Sequence, residues 1–316
     1  MPILYNDPWC AQYFEHAKCP DNVTIPTEDW HAWSLFPDHR WIYDKLTVAL
    51  TQGLEAAPHG VYPKSYPIFS KPMMNLRSMG AGSFMIPDKA TYIASLQPGH
   101  FWSTFLTGKH VSTDAAILDG EMVWCRHTTG VSMGDGMFDY WHIHVEAMPE
   151  IEDWCGAWTR KYLAGYTGMV NFETIGGKII EAHLRFADQW PDLYGEGWVD
   201  AMVRLYSEKC WDFDDSERQE HYSVVLWAPH GRSYRHPPAA SIAKAKAEPG
   251  IVSVQVTFYE DLDPVQHSNP PGGFRLAIVN ATNLAAGRRA IEILHNTILN
   301  QDSQVERKAV LQLSSL

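Results

Sequence analysis

The sequence predicts an α+β fold, because short runs of strand length bounded by Gly and Pro alternate along it with amphipathic runs of helical spacing. Two observations carry most of this reading. Residues 168–185 form two alternating segments around Gly176-Gly177, and the preceding pair of apolar segments turns on Asp119-Gly120, both dipeptides that suit a tight hairpin. Around them Ile151, Trp154, Trp158 and Leu163 recur at helical spacing, as do Trp198, Met202 and Leu205.

Taken in order, residues 1–35 read as irregular, with Pro2, Pro8, Pro20 and Pro26. A helix over 40–50 carries Lys45, with Ile42, Leu46, Ala49, Leu50 and Leu54 on one stripe. An apolar strand over 66–72 delivers Lys71. Asn75, Arg77 and Ser78 lead into a flexible loop, Gly80, Ala81, Gly82 and Ser83, and a second apolar run, 84–86. Pro87 then opens a helix through Tyr92 and Leu96. Residues 100–114 run into the hairpin 115–125, and helices follow over 150–164 and 197–206. The acidic run 211–217 reads as a connector, followed by strands at 222–228, 251–259 and 274–280 and a helix over 285–299. The polar tail from Gln301 is expected to fray.

The balance of 45% apolar and 20% charged residues is that of an ordinary globular protein, and 316 residues suffice for two or three subdomains with a substantial core. No run approaches the roughly 18–20 apolar residues that cross a bilayer, and the amino terminus has neither a basic start nor an apolar stretch, so no membrane partner and a cytoplasmic location are expected. Five cysteines, with no C-x-x-C pair, fit a reduced protein. A formal charge of −12 argues against a nucleic-acid backbone as partner, since that binding needs a basic surface whose side chains displace the counterions of the phosphates.

The chemistry concentrates in Glu181, His183 and Arg185. Two-residue spacing on a strand puts all three on one face. A carboxylate, an imidazole and a guanidinium aimed one way can hold a divalent cation on a phosphate chain and leave Arg185 to meet an oxyanion. Register decides whether the neighbouring strand joins them. A turn of Gly176 and Gly177 alone would pair Ile175 with Lys178 and send Asn171 and Glu173 to the other face. A three-residue loop over 175–177 would pair Thr174 with Lys178 and bring Asn171 opposite Glu181. The second is expected, with Asn171, Glu173, Glu181 and His183 together and Phe172 and Ile180 packed in the core behind.

A helix-borne Lys45, a strand-borne Lys71, a Gly loop, an aromatic segment and then a carboxylate-and-Arg hairpin is the linear order of the ATP-grasp superfamily, which residues 36–210 resemble. The local likeness is to biotin carboxylase-type members, in residues 109–120 and in Glu181-x-His-x-Arg185, standing where that family has Glu-x-Asn-x-Arg. The resemblance implies two α+β subdomains clamping ATP, a reduced N-terminal segment over 1–35 and a small C-terminal α/β element over 221–316. It implies that Lys45 and Lys71 contact the phosphates, that Gly80, Ala81, Gly82 and Ser83 close over them, and that Phe101, Trp102, Ser103 and His110 line the nucleotide. Glu181, Asn171, Glu173 and His183 would hold Mg²⁺, and Arg185 and Lys71 would act in catalysis. His183→Asn, which restores the usual ligand, would then preserve or raise activity. The implied activity is an ATP-dependent ligase joining a small-molecule acid to an amine or similar nucleophile through an acyl phosphate, the alternatives being a phosphotransferase or a degenerate nucleotide-binding module. Only residues 1–44 precede Lys45, whereas many such enzymes place a whole α/β domain there. Either the acceptor binds between the core and 221–316, or a second copy of the chain, in a homo-oligomer, completes the pocket.

Other patterns carry less. Gly130-Val-Ser-Met-Gly134 matches a hydrolase elbow, but its flanks read as loop rather than strand and helix. His142 and His144 share a strand face without a third ligand at metal spacing. No G-x-x-x-x-G-K-[ST] phosphate loop is present.

Overall fold

The computed structural model describes residues 2–74, 76 and 79–313, with side chains described as far as residue 298. Asn75, Arg77 and Ser78, ahead of the Gly loop, lie outside the described residues. The chain forms two units, Met1–Thr129 with His144–Arg218, and Gly130–Ile143 with Gln219–Leu316.

The first unit opens with two short parallel strands, β1 (Ile3–Leu4) and β2 (Ile25–Pro26), and two helices, α1 (Pro8–Ala11) and α2 (Asp29–Leu35). A 3₁₀ turn, Arg40–Tyr43, precedes α3 (Lys45–Thr51). The continuous helix expected over 40–50 is interrupted because Asp44 is extended. Its carboxylate caps α3, accepting from Leu46 N at 3.0 Å and Thr47 N at 3.3 Å. The buried stripe consequently runs through Val48 and Ala49, while Leu50 is 53% exposed.

A small antiparallel sheet follows, built from β3 (Ala56–Pro58), β4 (Ile68–Pro72), β5 (Phe84–Ile86) and β6 (His100–Thr104) in the order β3-β6-β4-β5. Helix α4 (Lys89–Ala94) lies between β5 and β6 and starts at an Asp88 cap, whose carboxylate accepts from Thr91 N at 2.8 Å, rather than at Pro87. The larger sheet of this unit combines β7 (His110–Leu118) and β8 (Glu121–Gly134) with, further along the chain, β10 (Gly168–Ile175) and β11 (Lys178–His183), in the order β11-β10-β7-β8. Between the two hairpins the chain forms β9 (Met137–Ile143) of the second unit and α5 (Pro149–Tyr162), and after them α6 (Trp198–Glu208). One face of the sheet gives Val111, Ala115, Ile117, Val170, Phe172, Ile179 and Ala182 to a core shared with Ile151, Cys155 and Trp158 of α5. Burying apolar groups of this kind is the main favourable contribution to folding, about 1.5–3 kcal/mol for each large side chain.

The β10–β11 hairpin departs from expectation in an instructive way. Gly176 (φ 57°) and Gly177 (φ 76°) form a two-residue turn that pairs Ile175 with Lys178, so the three-residue loop is not formed. The register then shifts between Glu173 and Thr174. Thr174 faces Ile179, Glu173 faces Glu181, and Ile180 is the extra residue of a β-bulge. The bulge restores the facing that the turn alone would destroy, with Asn171 opposite His183 and Phe172 opposite Ala182 on the other face. Ile179, not Ile180, therefore packs in the core. Long-range contacts hold the bulge: Gln52 Nε2 donates to Ile179 O at 2.7 Å, Ile179 N donates to Gln52 Oε1 at 2.8 Å, and Lys71 Nζ donates to Ile180 O at 2.7 Å.

The turn supplies a test. A Cβ at Gly176 would lie 2.4 Å from Thr107 O, while one at Gly177 meets nothing within 4 Å. Gly176→Ala is expected to cost about 1–3 kcal/mol for the clash on top of the left-handed backbone, and Gly177→Ala only about 1–2 kcal/mol for the backbone. Denaturant unfolding of both variants checks this, and an equal or smaller loss at Gly176 contradicts the turn geometry.

In the second unit β9, β12 (His221–Ala228), β14 (Phe274–Ala281) and β13 (Ile251–Val256) lie in that order, with α7 (Ala239–Lys246) and α8 (Leu284–Leu313). Helix α7 was not foreseen. The flanks of residues 130–134, read as loop, are largely strand: residues 130–134 are the end of β8 and lead through Asp135 (φ 48°) and Gly136 (φ 79°) into β9, so the serine pattern is strand-turn-strand. The tail from Gln301, expected to fray, continues α8 to Leu313, in keeping with its Gln, Glu, Arg, Lys and Ala content. The acidic run 211–217 has no regular structure yet is anchored in the first unit: Asp215 accepts from Trp124 Nε1 at 2.9 Å and pairs with Arg126, which is 1% exposed.

Candidate active site

Strand alternation carries the site. On the face opposite the α5 core, β7 presents Ser112 and Asp114, β10 presents Asn171 and Glu173, and β11 presents Glu181 and His183, because Asn171 pairs with both Asp114 and His183 and Glu173 pairs with both Ser112 and Glu181. Ligand atoms of Glu173, Glu181 and His183 all lie within 4.8 Å of one another. A base lies against each of two carboxylates. Lys45 Nζ, at the first turn of α3, is 2.5 Å from Glu181 Oε1, and His110 Nε2 is 3.2 Å from Glu173 Oε2. Burial is the largest single influence and works against charge on both members of the second pair, yet their mutual hydrogen bond and the nearby opposite charges together outweigh it, raising His110 and holding Glu173 well below the usual carboxylate range.

His183 has two different sides. Its Nδ1 sits 3.0 Å from each oxygen of Asp29, while Nε2 faces Glu181 Oε1 at 3.8 Å. Asp29, on the first turn of α2, is the residue that sequence reasoning missed. It also takes Arg185 Nε at 3.0 Å and Arg185 Nη2 at 3.2 Å, and Tyr43 Oη donates to it at 3.3 Å. Burial alone would push its carboxyl up, but Arg185 and His183 overcome this and hold it far below its ordinary value. Arg185 is thereby clamped. The guanidinium expected to await an oxyanion is held bidentately by Asp29, and its Nη1 donates to Phe186 O at 3.1 Å.

Asn171 is likewise tied within the sheet. Its Nδ2 donates to Ser112 Oγ at 3.0 Å and Asp114 Oδ1 at 2.8 Å. Asp114 also accepts from Ala187 N and from Tyr194 Oη at 2.7 Å, and burial pushes it up to about 6 despite these bonds.

Lys71 reaches the group from β4. The residue is 9% exposed, and its ammonium lies on the Ile180 carbonyl and 5.7 Å from the Phe101 ring centroid. Burial first, and Lys45 against the opposing pull of Glu181, bring it down to about 8. Lys45, Lys71, Glu173, Glu181 and His183 thus lie in one group. The aromatic segment is not an open platform. β6 is an inner strand of its sheet, so Phe101 is fully buried and Ser103 is 7% exposed. Trp102 points to the opposite face, in a cluster with Ile68, Ile86 and Tyr92, its Nε1 donating to Val61 O at 2.7 Å. Gly80, Ala81 and Gly82 are exposed in the turn between β4 and β5, where Ser83 N donates to Gly80 O at 3.1 Å.

No family model matches the sequence, and no curated protein matches it. Solved structures do. An L-amino acid ligase from Bacillus licheniformis superposes with a TM-score of 0.58 at 11% identity, over 92% of this chain and 82% of that one. A carboxyaminoimidazole ribonucleotide synthase from Aspergillus clavatus, complexed with ATP, gives 0.58 at 11%, over 84% and 75%. A phosphoribosylamine-glycine ligase from Thermotoga maritima gives 0.57 at 15%, over 93% and 86%. The fold is the ATP-grasp fold. Within it Lys45 and Lys71 come from the α3 and small-sheet side of the first unit, and the carboxylates from its larger sheet. Among the described residues no helix is long and apolar enough to cross a membrane.

Proposed function

We propose that the protein is an ATP-dependent ligase that activates a carboxylate as an acyl phosphate and joins it to an amine or similar nucleophile. One observation carries the reading: two buried ammonium groups, Lys45 and Lys71, converge on a cluster of Glu173, Glu181 and His183. Solved ligases of the same fold support it. The donor set fits Mg²⁺ through Glu173 and Glu181, because that ion prefers oxygen, and His183 Nε2 fits it poorly. Mg²⁺ bound there would offset charge on the phosphate oxygens. The protein's own groups do the rest by position and charge. Lys45 and Lys71 draw the triphosphate and favour the charge that builds on oxygen as the phosphoryl group passes from ATP to the substrate carboxylate, ADP leaving. The amine then attacks the acyl carbon and phosphate departs. Asp29 holds His183 and Arg185 in place throughout.

Incubation with ATP, Mg²⁺ and pools of acids and amines tests this. ADP with free phosphate and a new amide is the expected result. ADP without phosphate assigns a phosphotransferase, and ATP binding without turnover assigns the degenerate module; either overturns the ligase reading.

Lys71 gives a pH prediction. Free Lys71 loses its charge as pH rises through about 8, whereas a triphosphate favours the ammonium. ATP affinity should therefore be flat below pH 8 and fall by up to about tenfold per pH unit above it, with proton uptake on binding. Calorimetry in buffers of different ionisation enthalpy reads both. Lys71→Ala should bind ATP weakly at every pH while remaining folded; unchanged affinity in that variant removes Lys71 from the site.

A further inference from the structure

The opposite face of the same sheet carries a second group of ligating side chains that the ligase reading does not use. Cys125 and His127, two residues apart on β8, point to the α5 side, since His127 pairs with Thr113 and Thr113 pairs with Phe172. Glu152, in the first turn of α5, completes the group, one carboxylate oxygen lying within 4.8 Å of a ligand atom of Cys125 and one of His127.

We infer that Cys125, His127 and Glu152 form a binding site for a zinc-class divalent cation, distinct from the Glu173–Glu181–His183 cluster. Three features support it. Sulfur, nitrogen and oxygen donors from one strand and one helix are the set that a borderline-soft tetrahedral ion takes, with the fourth position open to water. The imidazole is already oriented: Thr113 Oγ1 lies 2.9 Å from His127 Nδ1, which leaves Nε2 facing Glu152 Oε1 at 3.0 Å. A hydrogen-bonded second nitrogen of this kind is the usual support of a metal-bound histidine. The group is also reachable, for His127 is 2% exposed but Glu152 is 31% exposed and Cys125 is only partly buried. Met148 N donates to Glu152 Oε1 at 3.0 Å, the same oxygen that His127 faces, which holds the carboxylate toward the imidazole. On binding, the Cys125 proton leaves to solvent and sulfur takes its place on the metal. The site lies beneath the helix that covers the core, so its effect would be to fasten α5 to β8, apart from ATP chemistry.

Cobalt(II) separates this site from the other cluster, because only a thiolate ligand gives a near-ultraviolet sulfur-to-cobalt charge-transfer band. Titration of the chelator-treated full chain with Co²⁺ is expected to give that band at one equivalent and to lose it on back-titration with Zn²⁺. Cys125→Ser should abolish it, and Glu173→Gln should leave it intact. Thr113→Val should weaken zinc binding by about 10–100-fold, read by competition with a chromophoric chelator. Absence of the band in the unaltered protein overturns the inference, as does its survival in Cys125→Ser. Should Cys125→Ser fail to fold, Glu152→Ala decides instead: a loss of zinc affinity of tenfold or more supports the site, and unchanged affinity overturns it.

Discussion

Asp29→Ala is expected to destabilise the protein by about 3–5 kcal/mol, the range for removing one partner of a buried ion pair. Asp29 is 3% exposed and is the acceptor for both His183 and Arg185, so its loss leaves a guanidinium and an imidazole side by side without a carboxylate. Asp29→Asn keeps the shape and part of the hydrogen bonding and should cost less. The pH dependence has a definite sign. The carboxyl is held below its unfolded value, so its contribution is complete above about pH 4 and is lost only as pH falls further, through the depressed folded value. Denaturant unfolding at pH 7 measures the effect, and an Asp29→Ala protein within about 1 kcal/mol of the parent would show that the pair is not buried as described. The same contact changes what His183→Asn should do. An asparagine amide does not span the distance the ring covers, so this variant should lose stability and, with Arg185 less well held, activity as well.

Glu181→Gln is expected to lower Mg²⁺-dependent ATP turnover by roughly 10²–10³-fold, the scale on which removing one preorganised charged or hydrogen-bonding group acts. The substitution is nearly isosteric, but it removes a carboxylate that faces Glu173 and pairs with Lys45. Lys45 is 7% exposed, so some loss of stability, about 1–3 kcal/mol, should accompany the kinetic effect. The informative measurement is the Mg²⁺ concentration dependence of turnover, with ATP binding followed separately. A variant that keeps its Mg²⁺ dependence and loses less than tenfold in rate would exclude Glu181 as a metal-holding residue.

What could be read from the chain beforehand was local and periodic. Glu181 and His183 share a face because a strand alternates, and Lys45 lies on a helix because apolar residues recur around it at helical spacing; the Asp44 cap that starts this helix at Lys45 was not read from the chain, and Arg185 lies in a bend past the end of the strand. Asp29 could not be found this way, since nothing near it marks a partner more than 150 residues along the chain. The hairpin shows the same limit in another form. Its turn follows the Gly-Gly dipeptide, but the bulge at Ile180 depends on Gln52 and Lys71, which reach β11 from elsewhere in the first unit. An aromatic run reads alike whether it borders a ligand or fills the inside of a sheet, so Trp102, expected against the nucleotide, packs with Ile68, Ile86 and Tyr92 instead. Arg185, expected to meet a ligand's oxyanion, has its carboxylate supplied by Asp29 of its own fold.

β11 is the last strand of its sheet, and a terminal strand ordinarily leaves a row of amides and carbonyls that another chain can adopt. Here the Gln52 side chain gives and takes one hydrogen bond with Ile179, as a neighbouring backbone would, and the Lys71 ammonium occupies the next carbonyl. The Ile179 amide should therefore exchange with deuterium as slowly as those of an interior strand, and Gln52→Ala should both speed that exchange and leave the hairpin open to edge-to-edge aggregation.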